Sequence, residues 1–302
     1  MKIFLTGASG YAGFHAALRL AAAGHIVTGV VRRPEQPRLE ELRRHEIELI
    51  HGDVAEPDTY RAALEDCDAI VHTMLDKKRH FETDRAFFAA IEALPPRKTR
   101  RRLVYTTGVS IIGKVPVSLL DETIEPNPAQ PISFRRQLER EAFALKNAST
   151  TVLRPGFIFG ADGFNSISTD WFAMVEEGEA IFRGDTEKGW SWIHVDDLAE
   201  AYRLAVEAEE SAVNGEIFHI TDEHRVLCLD VMRACVKAAG YTGEIKLAEP
   251  VKGDNISMWF DQNAYSSSRK ARERLGWASR HDSVIASAER LYAAWKAAQR
   301  VS

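Results

Sequence analysis

The chain contains no apolar run approaching the roughly 18–20 residues that a membrane-spanning helix needs, so no bilayer-crossing segment is expected. It also lacks an excess of positive charge: 39 Lys and Arg stand against 44 Asp and Glu, a net charge of −5. That balance offers neither a nucleic-acid surface nor a polybasic membrane anchor. Cysteine is scarce, with three residues in 302, at positions 67, 228 and 235. An odd, scattered set is no disulfide framework and fits a reducing compartment. Cys228 and Cys235 are seven apart, on one helical face, a spacing that suits a core better than a metal site. No metal site is therefore expected. The opening residues, MKIFLTGASG, carry one lysine and an apolar run far too short for a secretion signal. A cytoplasmic location is expected from these absences. Repeats, low-complexity tracts and flexible linkers are missing too.

What is present is a strand-helix alternation over the first half. KIFLT, HIVTGVV, IELIHGD, DAIVHT, RLVYTTG and STTVLRPG are short apolar runs, and helical patterns such as YAGFHAALRLAAAG lie between them. Several runs show little polar alternation, as strands do when helices cover both faces of a sheet. With tight connections and right-handed crossovers this predicts an α/β fold, a doubly wound parallel Rossmann sheet. After Arg154 the rhythm loosens. Residues 1–155 are expected to form the dinucleotide-binding domain, with 191–222 returning to it. Residues 156–190 and 223–282 are expected to form a small interwoven C-terminal substrate lobe, with 240–282 irregular, and 283–302 a C-terminal helix.

LTGASGYAG follows the first strand and opens the first helix, with Gly7, Gly10 and Gly13 spaced by three. A tight turn, backbone approach to a pyrophosphate and close helix-sheet packing each require glycine there. The end of the second strand selects the cofactor, since an acid binds a ribose 2′-hydroxyl and an arginine accepts a 2′-phosphate. The sequence reads GVVRRPEQ, so Arg32 and Arg33 place NADP(H) ahead of NAD. Asp53 in HGDV is suited to accept from an adenine amino group with Val54 packed on the ring, or to cap the helix that starts near Pro57.

With these pieces in place, the chain resembles the extended and atypical short-chain dehydrogenase/reductases, the superfamily of NAD-dependent epimerases and dehydratases. The resemblance rests on TGASGYAG, HGDV, AIVHT, RLVYTTG, LLDETIEPNP, LRPGFIFG and WIHVDDLAEA, in that order. It implies a nicotinamide cofactor contacted by Ser9, Tyr11 and Ala12 within the loop and by Thr106 at the end of strand 5. Thr73 and Met74 would line the nicotinamide-side ribose, and Pro155, Gly156 and Phe157 would pass beside the ring. Thr107 falls where the family's serine or threonine hydrogen-bonds the substrate oxygen, and is the candidate catalytic residue. Asp196 and Asp197 read as structural acids at a helix start, with His194 their packed neighbour.

The family's helix after strand 5 carries a tyrosine and, four residues on, a lysine, which together move the proton that accompanies hydride transfer. PISFRRQLEREAFAL has the spacing of an amphipathic helix over 131–145, and aligning it from DETIEPNP puts Phe134 and Leu138 at those two positions. No tyrosine lies in this helix in any register. Arg135, Arg136 and Arg140 offer charge without a transferable proton, and Tyr265, Lys188, His219 and Asp170 remain open as donors. Phe164, Trp171, Phe172, Trp190 and Trp192 make the lobe aromatic: Trp192, inside a strand, reads as core, and the other four as core or as the wall of an apolar or planar substrate site. Three functions stay open. They are an NADP(H)-dependent oxidoreductase or epimerase-like enzyme acting on a small carbonyl or hydroxyl compound, a silent NADP(H)-binding sensor or partner-binding protein, and a nucleotide-sugar epimerase or dehydratase. Relatives often pair through the helices around 80–94 and 131–147, so a homodimer is possible.

Overall fold

Each apolar run of the first half becomes a strand, and each stops where glycine or a short polar turn releases the chain. The computed structural model describes all residues except 37, 77, 130, 165, 252–261 and 301–302. Strands β1 (Lys2–Thr6), β2 (Ile26–Val31), β3 (Glu48–His51), β4 (Ala69–His72), β5 (Arg101–Thr106), β6 (Ala148–Pro155) and β11 (Ile217–Ile220) form one seven-stranded sheet. Its order is β11-β6-β5-β4-β1-β2-β3 and every pairing is parallel. Every residue of β4, β6 and β11 is buried, because helices cover both faces. On one side lie α1 (Tyr11–Ala22) and α7 (Val195–Glu207), packed on Leu5, Val71, Leu153 and Phe218. On the other, α4 (His80–Glu92) and α5 (Arg135–Phe143) pack on Phe4, Ile70, Leu103 and Val152. The chain builds outward from β1 to β3 and then returns to β4 on the far side of β1. This reversal opens a crevice at the C-terminal ends of β1 and β4, where doubly wound sheets bind ligands.

The lobe is an aromatic cluster. Trp171 and Phe172 of α6 (Ile167–Glu176), Trp190 and Trp192 of β9 (Gly189–Trp190) and β10 (Trp192–His194), and Met232 and Cys235 of α9 (Cys228–Ala238) are all buried together. All three cysteines are free and buried. Of the five expected ring residues only Phe164 is exposed. The C-terminal helix Val284–Gln299 closes this cluster through Leu291 and Trp295.

The segment 240–282 is less irregular than its sequence implied. Helix Arg269–Leu275 packs Ala271 and Leu275 into the sheet-side core beside Phe218, and the Trp277 Nε1 donates to the Asp197 carbonyl at 2.8 Å. This stretch thus returns to the Rossmann side; residues 252–261 of the expected lobe lie outside the described residues.

Just past β11, the Asp222 carboxylate accepts from the His224 N–H at 3.0 Å, while its second oxygen is buried with no partner among the described residues. Burial raises its pKa from 3.8 to about 7. The folded state therefore holds a proton that the unfolded chain releases. Stability falls as pH climbs from 3.8 towards 7, and stays low above that window. Asp222→Asn should remove this slope and raise stability at pH 8 by about 4 kcal/mol, roughly 10 °C in melting temperature. Thermal melts of both proteins at pH 5 and pH 8 check this; an unchanged gap between them at the two pH values would refute it.

Candidate active site

The crevice is floored by the glycine loop. Gly7 takes a left-handed φ of +78°, and the Gly10 N–H donates to the Gly7 carbonyl at 2.8 Å. A Cβ on Gly13 would stand 2.1 Å from the Gly7 carbonyl oxygen and 2.6 Å from Thr73 Oγ1. The first turn of α1 is thus pressed against the ends of β1 and β4. It carries no acidic residue, so its positive end stays uncompensated and suited to a phosphate. Ser9, Gly10 and Ala12 are half-buried along the loop. The Tyr11 side chain is buried, and its hydroxyl donates to the Gly160 carbonyl, tying the loop to the segment after β7 (Phe157–Phe159). The Thr73 hydroxyl donates to the Thr6 carbonyl at 2.8 Å, and Met74 packs half-buried beside it in sequence.

Arg32 and Arg33 are exposed and make no hydrogen bond or ion pair with a described residue. Arg38, at the start of α2 (Arg38–Arg44), was not among the sequence candidates. Its guanidinium lies between the rings of Phe14 and Phe164, 4.2 and 4.5 Å from their centroids, with Nη1 donating to Asp162 at 2.9 Å. Its Nε and Nη2 are buried and have no partner among the described residues. Only its place just beyond β2 hinted at this in the sequence.

Asp53 does not cap the turn Pro57–Thr59, whose capping position is Glu56. One of its oxygens accepts from the Ala55 N–H at 2.9 Å and the other faces Arg79 at 3.4 Å. Val54 is buried in the core with Tyr60. The Thr106 side chain bonds the Tyr202 hydroxyl at 2.8 Å and so points into the α7 face, leaving its carbonyl to accept from Arg135 at 2.7 Å. Gly156 is pressed on Ser191, where a Cβ would sit 2.6 Å from the carbonyl oxygen. Next to it, Phe157 stacks on Trp190 at 3.6 Å.

At the ends of β5 and β6 the structure revises the expected helix face. Residues 131–134 form a 3-10 turn before α5. The Phe134 ring rests on Phe81 at 4.7 Å, and Leu138 is buried in the core. The side chains that reach the strand ends are one residue further on, Arg135 and Glu139. The apolar stripe of Leu138 and Ala142 takes the core, which turns the neighbouring i, i+4 pair towards the crevice.

Glu139 is 0% exposed. Half-buried Thr107 donates its hydroxyl to Glu139 Oε1 at 2.6 Å. The Arg154 guanidinium grips the same carboxylate twice, Nε to Oε1 at 2.9 Å and Nη2 to Oε2 at 2.6 Å, and Arg136 adds a contact at 3.3 Å. Beyond it, Arg154 Nη1 lies 3.5 Å from His219 Nε2, and His219 Nδ1 lies 2.5 Å from Ser266 Oγ. Burial, then Arg154, push the His219 pKa well below its usual value, so it is a neutral member of this row. The row ends at a cavity of about 250 Å³ lined by Leu119, Ser191, Glu223, Arg225, Tyr265 and Ser266. A larger cavity of about 440 Å³ sits among Lys2, Ile26, Thr59 and Asp66 at the opposite, N-terminal ends of the strands, away from this chemistry. Of the other expected donors, only Tyr265 lines the smaller cavity. Lys188 pairs with Asp185, Tyr265 donates to the Val226 carbonyl, and Asp170 is exposed in the first turn of α6.

The HVDD turn is structural. His194 Nδ1 accepts from the Asp196 N–H and caps α7; burial and the ring of His281, stacked at 3.6 Å, push its pKa down to about 4. Asp197 takes the N–H groups of Arg280 and His281.

Residues 3–221 match the model of the NAD dependent epimerase/dehydratase family. The chain belongs to that family. An uncharacterized protein of Schizosaccharomyces pombe is 25% identical, covering 94% of this chain and 97% of that one. A 4-hydroxy-2-methyl-3-oxo-4-farnesyl-3,4-dihydroquinoline-1-oxide ketoreductase of Stigmatella aurantiaca is 25% identical over 81% of this chain and 75% of its own. A UDP-glucose-4-epimerase from Stenotrophomonas maltophila, solved with bound NAD and formylated UDP-arabinopyranose, shares the fold over 100% of both chains, with a TM-score of 0.83 and 18% identity. The protein is accordingly an atypical short-chain dehydrogenase/reductase, a nicotinamide-cofactor-binding enzyme of the oxidoreductase or epimerase type. Two features of its own residues fit that cofactor: a helix start free of acidic side chains, pressed so closely on the strand ends that a Cβ at Gly7 or Gly13 would collide, and the buried donors of Arg38 that lack a partner among the described residues. Among the described residues no helix is long and apolar enough to cross a membrane.

Proposed function

We propose that the protein is an NADP(H)-dependent oxidoreductase or epimerase-like enzyme that acts on a small carbonyl or hydroxyl compound without a tyrosine-lysine pair. The observation that carries this reading is Thr107. It is half-exposed at the C-terminal edge of the sheet that also holds the glycine loop, and its hydroxyl is oriented by a fully buried carboxylate. When bound, the nicotinamide supplies or accepts a hydride. The residues of the chain do the rest. The glycine loop and the start of α1 hold the pyrophosphate, Pro155, Gly156 and Phe157 border the ring, and Thr107 fixes the substrate oxygen. Gly156 and Phe157, pressed on Ser191 and Trp190, keep that border dry.

The choice of NADP rests on Arg32 and Arg33, two exposed arginines just past the end of β2 without partners among the described residues, with Arg38 following in the sequence. The double substitution Arg32→Ala/Arg33→Ala should weaken NADPH at least tenfold and NADH hardly at all, read by nucleotide fluorescence titration. An unchanged NADPH-to-NADH ratio would refute the preference. A second reading, a cofactor-binding sensor without turnover, is favoured by the packing of Phe134 on Phe81, which puts a plain phenyl ring where relatives place a phenol. Steady oxidation of NADPH by any carbonyl compound would remove it. Nucleotide-sugar chemistry, named for relatives such as the UDP-glucose 4-epimerase of Neisseria meningitidis, is tested by calorimetry with UDP-glucose.

A further inference from the structure

We infer that Glu139 is the proton reservoir of this site and works through the Thr107 hydroxyl. The inference rests on the oxidoreductase reading above and deepens it. Three observations converge. The Thr107 hydroxyl proton already points at Glu139, across 2.6 Å, so the oxygen of Thr107 presents its lone pairs to the open side. Glu139 itself is out of reach of solvent and substrate, 0% exposed. Its other contacts are all cationic donors: Arg154 on two edges and Arg136 on a third. A carboxylate serving only to satisfy Arg154 would not need a partly exposed hydroxyl as its fourth contact. A hydroxyl serving only to bind substrate would not need a buried carboxylate behind it, because Thr107 alone is far too weak an acid or base.

In the oxidation direction the substrate O–H bond breaks and its proton passes to Thr107 Oγ1. The original Oγ1–H bond of Thr107 breaks in the same event, and that proton passes to Glu139 Oε1. The electron pair of the substrate O–H bond becomes the carbonyl π bond as the carbinol C–H pair leaves as hydride to the oxidised nicotinamide. Reduction runs the same transfers backwards. In an epimerase-type cycle the proton returns from Glu139 to the same oxygen; in net oxidation it leaves through Thr107 to water once the product has gone. Arg154 and Arg136 fix the two carboxylate oxygens so that one faces Thr107; their charge favours the ionised form, so Glu139 holds the proton only while the substrate oxygen reacts and then gives it back through Thr107. His219, neutral and tied to Ser266, holds the outer edge of Arg154. Glu139 is thus a positioning and storage group acting through Thr107, which alone touches the substrate.

The test uses the full chain with NADP⁺ and a panel of cyclohexanol, 1-phenylethanol and benzyl alcohol, and NADPH with the matching carbonyls. Glu139→Gln should lower kcat about 100-fold, with KM and NADPH affinity little changed. Thr107→Val, which leaves the Glu139–Arg154 pair intact should the first variant fail to fold, should do the same, and Thr107→Ser should restore most of the rate. Because the two residues form one path, the double variant should be no slower than either single variant. A readout other than rate is available. Difference infrared spectra on mixing NADP⁺-loaded protein with the alcohol turned over should show a protonated carboxyl band that is absent in Glu139→Gln. Wild-type turnover with undiminished kcat in both Glu139→Gln and Thr107→Val, or no such band, overturns the relay and leaves the oxidoreductase reading standing. Absence of wild-type turnover across the panel overturns that reading, and the relay with it.

Discussion

Gly13→Ala should abolish nucleotide binding, weakening NADPH by more than about 100-fold. The added Cβ would lie 2.1 Å from the Gly7 carbonyl oxygen, with Thr73 Oγ1 at 2.6 Å on its other side. The first obstacle is backbone and cannot rotate away. Thr73 is pinned too, because its hydroxyl bridges to Thr6. The only relief is for α1 to back off from β1 and β4. That moves the N–H groups of its first turn away from the phosphates, and each lost charge-assisted hydrogen bond is worth roughly 1.5–3 kcal/mol. Two such losses exceed the 100-fold threshold. Gly178→Ala provides the control. Gly178 ends α6 at a φ of +83° with open space around its Cβ, so alanine there strains the backbone by about 1 kcal/mol without touching the crevice. Fluorescence titration of both variants, alongside their melting temperatures, separates a lost cradle from lost stability. Near-normal NADPH affinity in Gly13→Ala would show that the loop does not hold the dinucleotide.

The glycine loop was legible in the sequence because its constraints are local: a strand, a turn at positive φ and a helix must fit within a dozen residues, and each requirement names a residue type. The six strands of the first half were legible for the same reason. Orientation around a helix axis was not. PISFRRQLEREAF offers Phe134/Leu138 and Arg135/Glu139 at identical spacing, and general burial preferences favour turning the charged pair outward. The structure buries Arg135 and Glu139, and what permits this is the Thr106 carbonyl for the first and Arg154, fifteen residues beyond Glu139 on another element, for the second. Long-range pairing of that kind leaves no local pattern. Helix Arg269–Leu275 escaped notice because RKARERL has only Ala271 and Leu275 to bury, too few for a periodicity. Its one clear signal is Gly276, which ends it at a left-handed φ of +64°. Arg38 was hidden likewise, since its rings and its carboxylate come from Phe14, Phe164 and Asp162.

Arg154→Met should destabilise the protein by roughly 3–5 kcal/mol, about 10 °C in melting temperature. Methionine keeps the length and the apolar stem, so little packing is lost. What is lost is both bonds to Glu139 from a residue that is itself 1% exposed. Glu139 would be left fully buried with Thr107 and the single longer contact to Arg136. His219 would lose the charged neighbour that helps hold its pKa down, a small compensation beside burial, which is the larger cause. The argument from desolvation has a consequence that simple contact loss does not share. If the cost comes from the stranded charge, removing that charge must recover it. Arg154→Met/Glu139→Gln should therefore be more stable than Arg154→Met alone, with a coupling of at least about 2 kcal/mol in the double-variant cycle. Urea unfolding of the four proteins measures it. Additive losses would mean that the pair contributes by packing alone, and that the carboxylate facing Thr107 tolerates isolation.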